Sequence, residues 1–347
     1  AYQWVLYYFA PNKAKEGETY TPQEVIKLIV RILDVEDGSR VLDPACGSGT
    51  FLIEAYWRLK ELKTGNKKRI PPSRELHTEI LRQLYAIDIN PFPTQLTSMN
   101  LAMKNVRAPT TEANIQTSDF FALSPPDEKE LEREGFDAIV GNPPYTRWTE
   151  IPDNVQDKIR EKLSDDLSSY GLHADVVRGR EPGIYVHFIM WARRFLRPGG
   201  RLGMIISDSW LQTDYGVNFG RFLLENFKVK ALIDLSARVF PVPLIGACIL
   251  LLEKPKEGEN LDDNEIIFIY VNIPEGHSLN VDEVLKVVKK PKDVPPHFIV
   301  HIMRQGDIPK DQKWINFLFR PEDILEELEQ KTIKMGDIFE PSRGNTI

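Results

Sequence analysis

Cysteine is scarce in this chain of 347 residues, with only Cys46 and Cys248 present. Two thiols cannot build a disulfide framework, and they fit a reducing compartment, so a cytoplasmic location is expected. The six histidines, at 77, 173, 187, 277, 297 and 301, form no ligand spacing with either cysteine, so no metal is expected. No apolar run approaches the length of a bilayer span, which argues against a membrane partner. An excess of positive charge is missing too. The net charge of −7 excludes blanket electrostatic adhesion to nucleic acid, though not a local basic face. The region 147–201 holds ten Lys and Arg against eight acids, which reads as a mixed solvated surface. A leading methionine is also absent, and the chain stops at RGNTI, so a piece of something longer is expected.

What the chain has is alternation. TPQEVIKLIVRIL (21–33) carries Val25, Leu28, Ile29, Ile32 and Leu33 on one helical face. Thr21 is the predicted N-cap, with Pro22 first in the helix and Glu24 closing a capping box. A short strand and small-residue turn are predicted over 39–50 and apolar strands at 84–90, 114–121, 136–140 and 201–210, with helices at 51–63, 95–105 and 184–196 between them. This is the signature of an α/β fold, a mostly parallel twisted sheet with helices on both faces. Strands at 229–236 and 247–254 follow one another without a helix, which predicts an antiparallel edge strand. Residues 146–183 read as a long polar loop with a helix near 154–163. After the charged break at 254–265, the chain reads as a connecting region.

In an open parallel sheet, ligands gather at the carboxyl ends of the strands. Four predicted strand tips carry informative clusters. DPACGSGTF (43–51) places Ala45, Cys46, Gly47 and Gly49 in a small-residue turn ahead of a helix starting near Thr50. Such a turn lets a ligand approach the backbone and offers helical N–H groups to an anion. It lacks both the third glycine of a dinucleotide fingerprint and the GK[ST] of a phosphate loop. Asp43 at its head would repel a pyrophosphate and suits a ligand with an amino group. Asp88, in AIDIN, can accept from two ribose hydroxyls or simply cap the next helix; it lies 45 residues beyond Asp43, farther than the usual ~20. Asp119, in SDFF, can accept from an adenine amine with Phe120 or Phe121 beside it, or it can be a capping Asp next to core rings.

The fourth cluster is GNPPY (141–145). Asn142 offers an amide carbonyl and Pro143 a backbone carbonyl, while the rings of Pro143 and Pro144 stiffen the corner and remove competing donors. Two rigid acceptors match the two hydrogens of a planar –NH2 group. Tyr145 supplies a face for stacking a base, worth ~1–3 kcal/mol.

YTP (20–22), DPACGSGTFL, AIDIN, SDFF, GNPPY, GRLGMIISDSWL (200–211) and VFPVPLIGACILLLEK (239–254) occur in an order that resembles the gamma-class DNA adenine-N6 methyltransferases of restriction–modification systems. The likeness extends to a modification subunit or a type IIG/IIS-like modification protein. It implies a class I S-adenosylmethionine-dependent, Rossmann-like fold, and methylation of a flipped-out adenine in double-stranded DNA. It also implies the cofactor S-adenosylmethionine, and a specificity or restriction subunit or fused domain as a further partner. On this resemblance, Thr21 and the turn Ala45, Cys46, Gly47, Gly49 and Thr50 contact the methionine part, with Asp43 near its amino group. Asp88 holds the ribose, Ile89 lies against the adenine ring, and Asp119 and the Phe120 N–H meet the adenine edge. Asn142, Pro143, Pro144 and Tyr145 grip the target base, and Phe240 packs on it. Trp148 and Trp210 are further candidates at the pocket mouth. The implied division is an N-terminal segment (1–20), a catalytic domain (21–255), a connector (256–330) and the start of a target-recognition region (331–347). A methyltransferase for a glutamine amide or an RNA base, and a non-catalytic DNA-binding subunit, are the competing readings.

Overall fold

The computed structural model describes residues 21–172, 182–235, 246–273, 277–291 and 294–320. The strands are β1 (Val41–Asp43), β2 (Leu84–Asp88), β3 (Asn114–Thr117), β4 (Phe136–Gly141), β5 (Leu196–Ser207), β6 (Lys228–Leu235), β7 (Ala247–Glu253), β8 (Glu265–Val271) and β9 (Phe298–Arg304). The main helices are α1 (Gln23–Ile32), α2 (Thr50–Thr64), α3 (Arg74–Arg82), α4 (Pro91–Ala102), α5 (Asp153–Lys162), α6 (Ser164–Tyr170), α7 (Ile184–Ala192), α8 (Asp214–Asn226) and α9 (Val281–Lys289).

The strands form one sheet in the order β3-β2-β1-β4-β5-β7-β6-β8-β9. Pairing is parallel from β3 through β5. The central strands are buried on both faces, which is why DAIVG and CILLL read as unbroken apolar runs rather than alternating ones. One core lies under α1, α2 and α9, and the other under α7 and α8. Each fully buried Leu or Ile in these cores contributes roughly 1.5–3 kcal/mol relative to exposure.

The expected antiparallel edge is instead internal. β7 runs antiparallel to both β5 and β6 and lies between them. The sheet continues because IIFIYV pairs parallel with β6, and FIVHIMR pairs antiparallel with β8. The stretch read from composition as a connector therefore supplies two strands of the same sheet. It also supplies α9, whose Val284 and Val287 join the core under α1, and Trp314, which stacks tilted on Trp210 with ring centroids 5.1 Å apart.

The chain winds from β1 through β2 to β3 in one direction, then crosses to β4 and β5 in the other. The crevice of such a sheet opens at that reversal, between the carboxyl ends of β1 and β4. Asp43 ends β1 and Gly141 ends β4, so the glycine turn and the NPPY corner flank the same crevice.

Candidate active site at the strand-order reversal

The glycine turn is braced from three sides. Gly47 and Gly49 adopt φ of +52° and +78°, conformations that side chains resist. A Cβ on Gly49 would also sit 2.8 Å from Thr97 Cγ2 of α4, whereas one on Gly47 would meet open space. The Thr97 hydroxyl donates to the Gly47 carbonyl (2.9 Å) and the Asn100 amide to that of Ser48 (3.0 Å). Cys46 is buried in this packing, its backbone N–H donating to Ile87 O at 2.9 Å. The 15-residue α2 then starts at Thr50 without a side-chain cap. Its first-turn N–H groups offer partial positive charge to an anion.

Asp43 is 1% exposed. One carboxylate oxygen accepts from the Ala45 N–H at 3.1 Å, while the other is buried with no hydrogen-bond partner among the described residues. Burial pushes its pKa up to about 8, against the pull of the Ala45 bond and with a smaller push from Asp88. A buried, half-satisfied carboxylate beside a glycine turn fits a ligand that brings an ammonium group.

Asp88 does more than either sequence reading allowed. Its two oxygens accept from the Gly47 N–H (3.0 Å) and the Asn90 N–H (2.9 Å), so it ties the glycine turn to the start of α4. Ile89 beside it is 61% exposed, leaving an apolar surface open at the crevice. Asp119 accepts from the Phe121 N–H at 3.0 Å and from the Lys158 ammonium of α5 at 3.2 Å. Phe120 and Phe121 are both core residues packed with Phe188, so neither ring is available to lie on a ligand.

At the other wall, Gly141 has no room for a side chain, since its Cβ would stand 2.9 Å from Asp43 Oδ1. Asn142 follows, and its Nδ2 donates to Thr21 Oγ1 at 2.9 Å. That contact corrects the expected role of Thr21. The cap of α1 is Pro22, with no side-chain hydrogen bond, and the Thr21 hydroxyl is turned to the NPPY corner instead. Pro143 is buried and Pro144 half-buried. Tyr145 is half-buried, with its ring edge-on to Tyr185 at 6.1 Å and its hydroxyl directed inward. Trp148 and Trp210, expected as candidates at the pocket mouth, are 4% and 0% exposed and belong to the core. Phe240 lies outside the described residues.

Four further residues gather behind Tyr145, and the sequence reading missed them. Tyr185 of α7 shares a 2.8 Å hydrogen bond with Tyr215 of α8. Asp208 follows β5, and Asp234 stands in β6 opposite Cys248. Burial raises the pKa of both acids, Asp234 to about 7 with an added push from Asp208. A polar residue ending an apolar strand, as in IISD and LIDL, was the available signal.

A family profile described as N-6 DNA Methylase matches residues 1–285. Over 307 residues the chain is 30% identical to the type I restriction enzyme MjaVII methylase subunit of Methanocaldococcus jannaschii, taking in 85% of this chain and 48% of that protein. Among solved structures, the type IIG restriction endonuclease BpuSI matches with a TM-score of 0.65 at 16% identity, over 92% of this chain and 35% of that one. A type I restriction–modification methyltransferase subunit from Streptococcus thermophilus matches with a TM-score of 0.62 at 18% identity, over 87% of this chain and 60% of that one. The structural matches carry the fold, and the chain spans about half the length of the curated type I methylase subunits it resembles in sequence. Among the described residues no helix is long and apolar enough to cross a membrane, and no cluster of His, Cys, Asp or Glu is arranged for a metal.

Proposed function

The chain belongs to the N-6 DNA methylase family, and on that premise we propose that it methylates the exocyclic N6 of adenine in duplex DNA within a restriction–modification system. The observation that carries this reading is the shared wall at the strand-order reversal. There a Cβ on Gly141, one residue before the amide of Asn142, would stand 2.9 Å from the buried Asp43 carboxylate of the glycine turn. A donor held by the turn and an amine held by the NPPY corner would meet across it.

S-adenosylmethionine, when bound, supplies a methyl group made electrophilic by its sulfonium. The half-satisfied carboxylate of Asp43, the uncapped N-terminus of α2 and the exposed Ile89 fit its ammonium, its carboxylate and its adenine in turn. Thr21, Ala45, Cys46, Gly47, Gly49 and Thr50 form the surroundings of the methionine part. Asp88 holds the ribose through its remaining lone pairs, and Asp119 and the Phe120 N–H read the adenine edge.

Asn142 Oδ1 and the Pro143 carbonyl accept the two hydrogens of the target amine and turn its lone pair to the methyl carbon. As positive charge grows on that nitrogen, the two fixed dipoles stabilise it without needing to reorganise. The proton then leaves the nitrogen for solvent. A base in a duplex cannot reach this corner, so the adenine is extruded at a few kcal/mol and packed by Tyr145 and Phe240. Residues 21–255 carry the chemistry, the stretch after 256 completes their sheet through β8 and β9, and 331–347 open a target-recognition region. A specificity or restriction subunit, or a fused domain, supplies the choice of site.

The test is to incubate the protein with labelled cofactor and duplex DNA, transfer RNA and a protein extract, then digest each and identify the labelled product. N6-methyladenine from the duplex is expected. Label confined to RNA or to glutamine would overturn the proposal.

A further inference from the structure

An asparagine amide has two orientations related by a half-turn, and only one aims its oxygen at an amine to be gripped. We infer that Thr21 is a positioning residue that sets this orientation for Asn142, an inference that rests on the function proposed above. Thr21 Oγ1 lies 2.9 Å from Asn142 Nδ2, across 121 positions of sequence. With the nitrogen held on Thr21, Oδ1 occupies the opposite fork of the amide.

The post that carries Thr21 is rigid. Thr21 is 7% exposed and precedes Pro22, whose φ is −57° and whose carbonyl receives the N–H groups of Val25 and Ile26 at 3.1 Å each. α1 is in turn seated on the sheet, where a Cβ on Gly203 of β5 would meet Ile29 Cγ2 at 3.0 Å. The strand end bearing Asn142 is held in the sheet, where Gly141 pairs with Met204 of β5. Two stiff elements thus meet at the Thr21–Asn142 hydrogen bond.

A hydroxyl can donate as well as accept, so the bond needs a reason to keep its polarity. The proposed cofactor would provide one. Its carboxylate, held in the surroundings proposed above, would only accept from Thr21, and a hydroxyl that donated to it would face Asn142 as an acceptor. The amide would then keep its orientation, and Thr21 would make the target-gripping group dependent on a filled cofactor site.

Single-turnover methyl transfer to duplex DNA at saturating cofactor tests this with the wild type, Thr21→Val and Thr21→Ser. Valine keeps the shape and removes the acceptor, and the rate is expected to fall about tenfold or more, the scale of one lost oriented hydrogen bond. Serine keeps the hydroxyl and is expected to restore most of the rate. In a neutron structure of Thr21→Val with cofactor, where amide nitrogen and oxygen are told apart, the Asn142 amide is expected to have turned. A Thr21→Val enzyme at the wild-type rate, or a Thr21→Ser enzyme as slow as Thr21→Val, would overturn the inference. Methyl transfer by the wild type tests the function itself, and the Val–Ser contrast within that activity tests this role, so the two failures are distinct.

Discussion

Lys158 reaches from α5 to within 3.2 Å of the Asp119 carboxylate. That carboxylate is the group proposed to read the cofactor's adenine, so the ammonium and the adenine amine compete for one acceptor. Lys158→Ala should therefore bind S-adenosylmethionine a few-fold more tightly by calorimetry. Weaker binding would show that Lys158 itself touches the cofactor. The ion pair is only partly shielded, with side-chain exposures of 43% and 14%. Its effect should therefore shrink in high salt.

Asn142→Ala removes an acceptor that works in the transition state rather than on the ground-state cofactor. Methyl transfer should fall by roughly 10²–10³-fold, the loss seen when one preorganised electrostatic contact is deleted. Cofactor affinity should stay within a few-fold of the wild type. Labelled-methyl incorporation and calorimetry on the same preparation separate the two effects.

Asp88→Ala should fail in the opposite way. It loses the acceptor for the Gly47 N–H, so the turn loosens before any ribose contact is considered. A loss of about 1.5–3 kcal/mol for a hydrogen bond to a charged group corresponds to roughly tenfold or more in cofactor affinity. Equal affinity in the variant would remove Asp88 from the site.

The pH dependence follows from Asp43. Burial raises its pKa in the folded chain to about 8, from an ordinary carboxylate value of 3.8. The folded chain therefore holds a proton that the unfolded chain has released, and Asp43 makes stability fall as pH rises from about 4 to about 8. Asp43→Asn should flatten that fall and leave the cofactor-free protein more stable at pH 7 in thermal melts. A bound ammonium would draw the carboxyl back to its charged form. Cofactor binding at pH 7 should then release a proton, measurable by calorimetry in buffers of different ionisation enthalpy, and Asp43→Asn should abolish that release.

The strand tips were readable because each is a local event, an apolar run that stops in small or polar residues. Asp43 and Asp88 close their strands and Asn142 follows β4, as the periodicity placed them. By contrast, β3 stops at Thr117, and Asp119 caps the short turn that replaces the rest of the strand expected at 114–121. The partners of those residues were not readable in the same way. Thr21 looked like a helix cap because the S/T-x-x-E spacing is a local signal, and nothing near it in sequence announces Asn142. Lys158 sat in a stretch with weak periodicity. The order of the sheet was hidden for the same reason. The apolar pattern of β7 says that it is buried, but not that β5 and β6 are its neighbours, and the charged break at 254–265 disguised two strands still to come.

The placement of β8 against β6 has a practical consequence. Cutting the chain at residue 255, where the ordered motifs run out, would strip β6 of its neighbour along Ala231–Leu235. A bare ladder of N–H and C=O groups on the apolar run ALIDL would be left open to solvent, and such edges recruit other chains. Trp210 would lose the ring of Trp314 at the same stroke. The shortened protein would carry every motif and still be expected to aggregate.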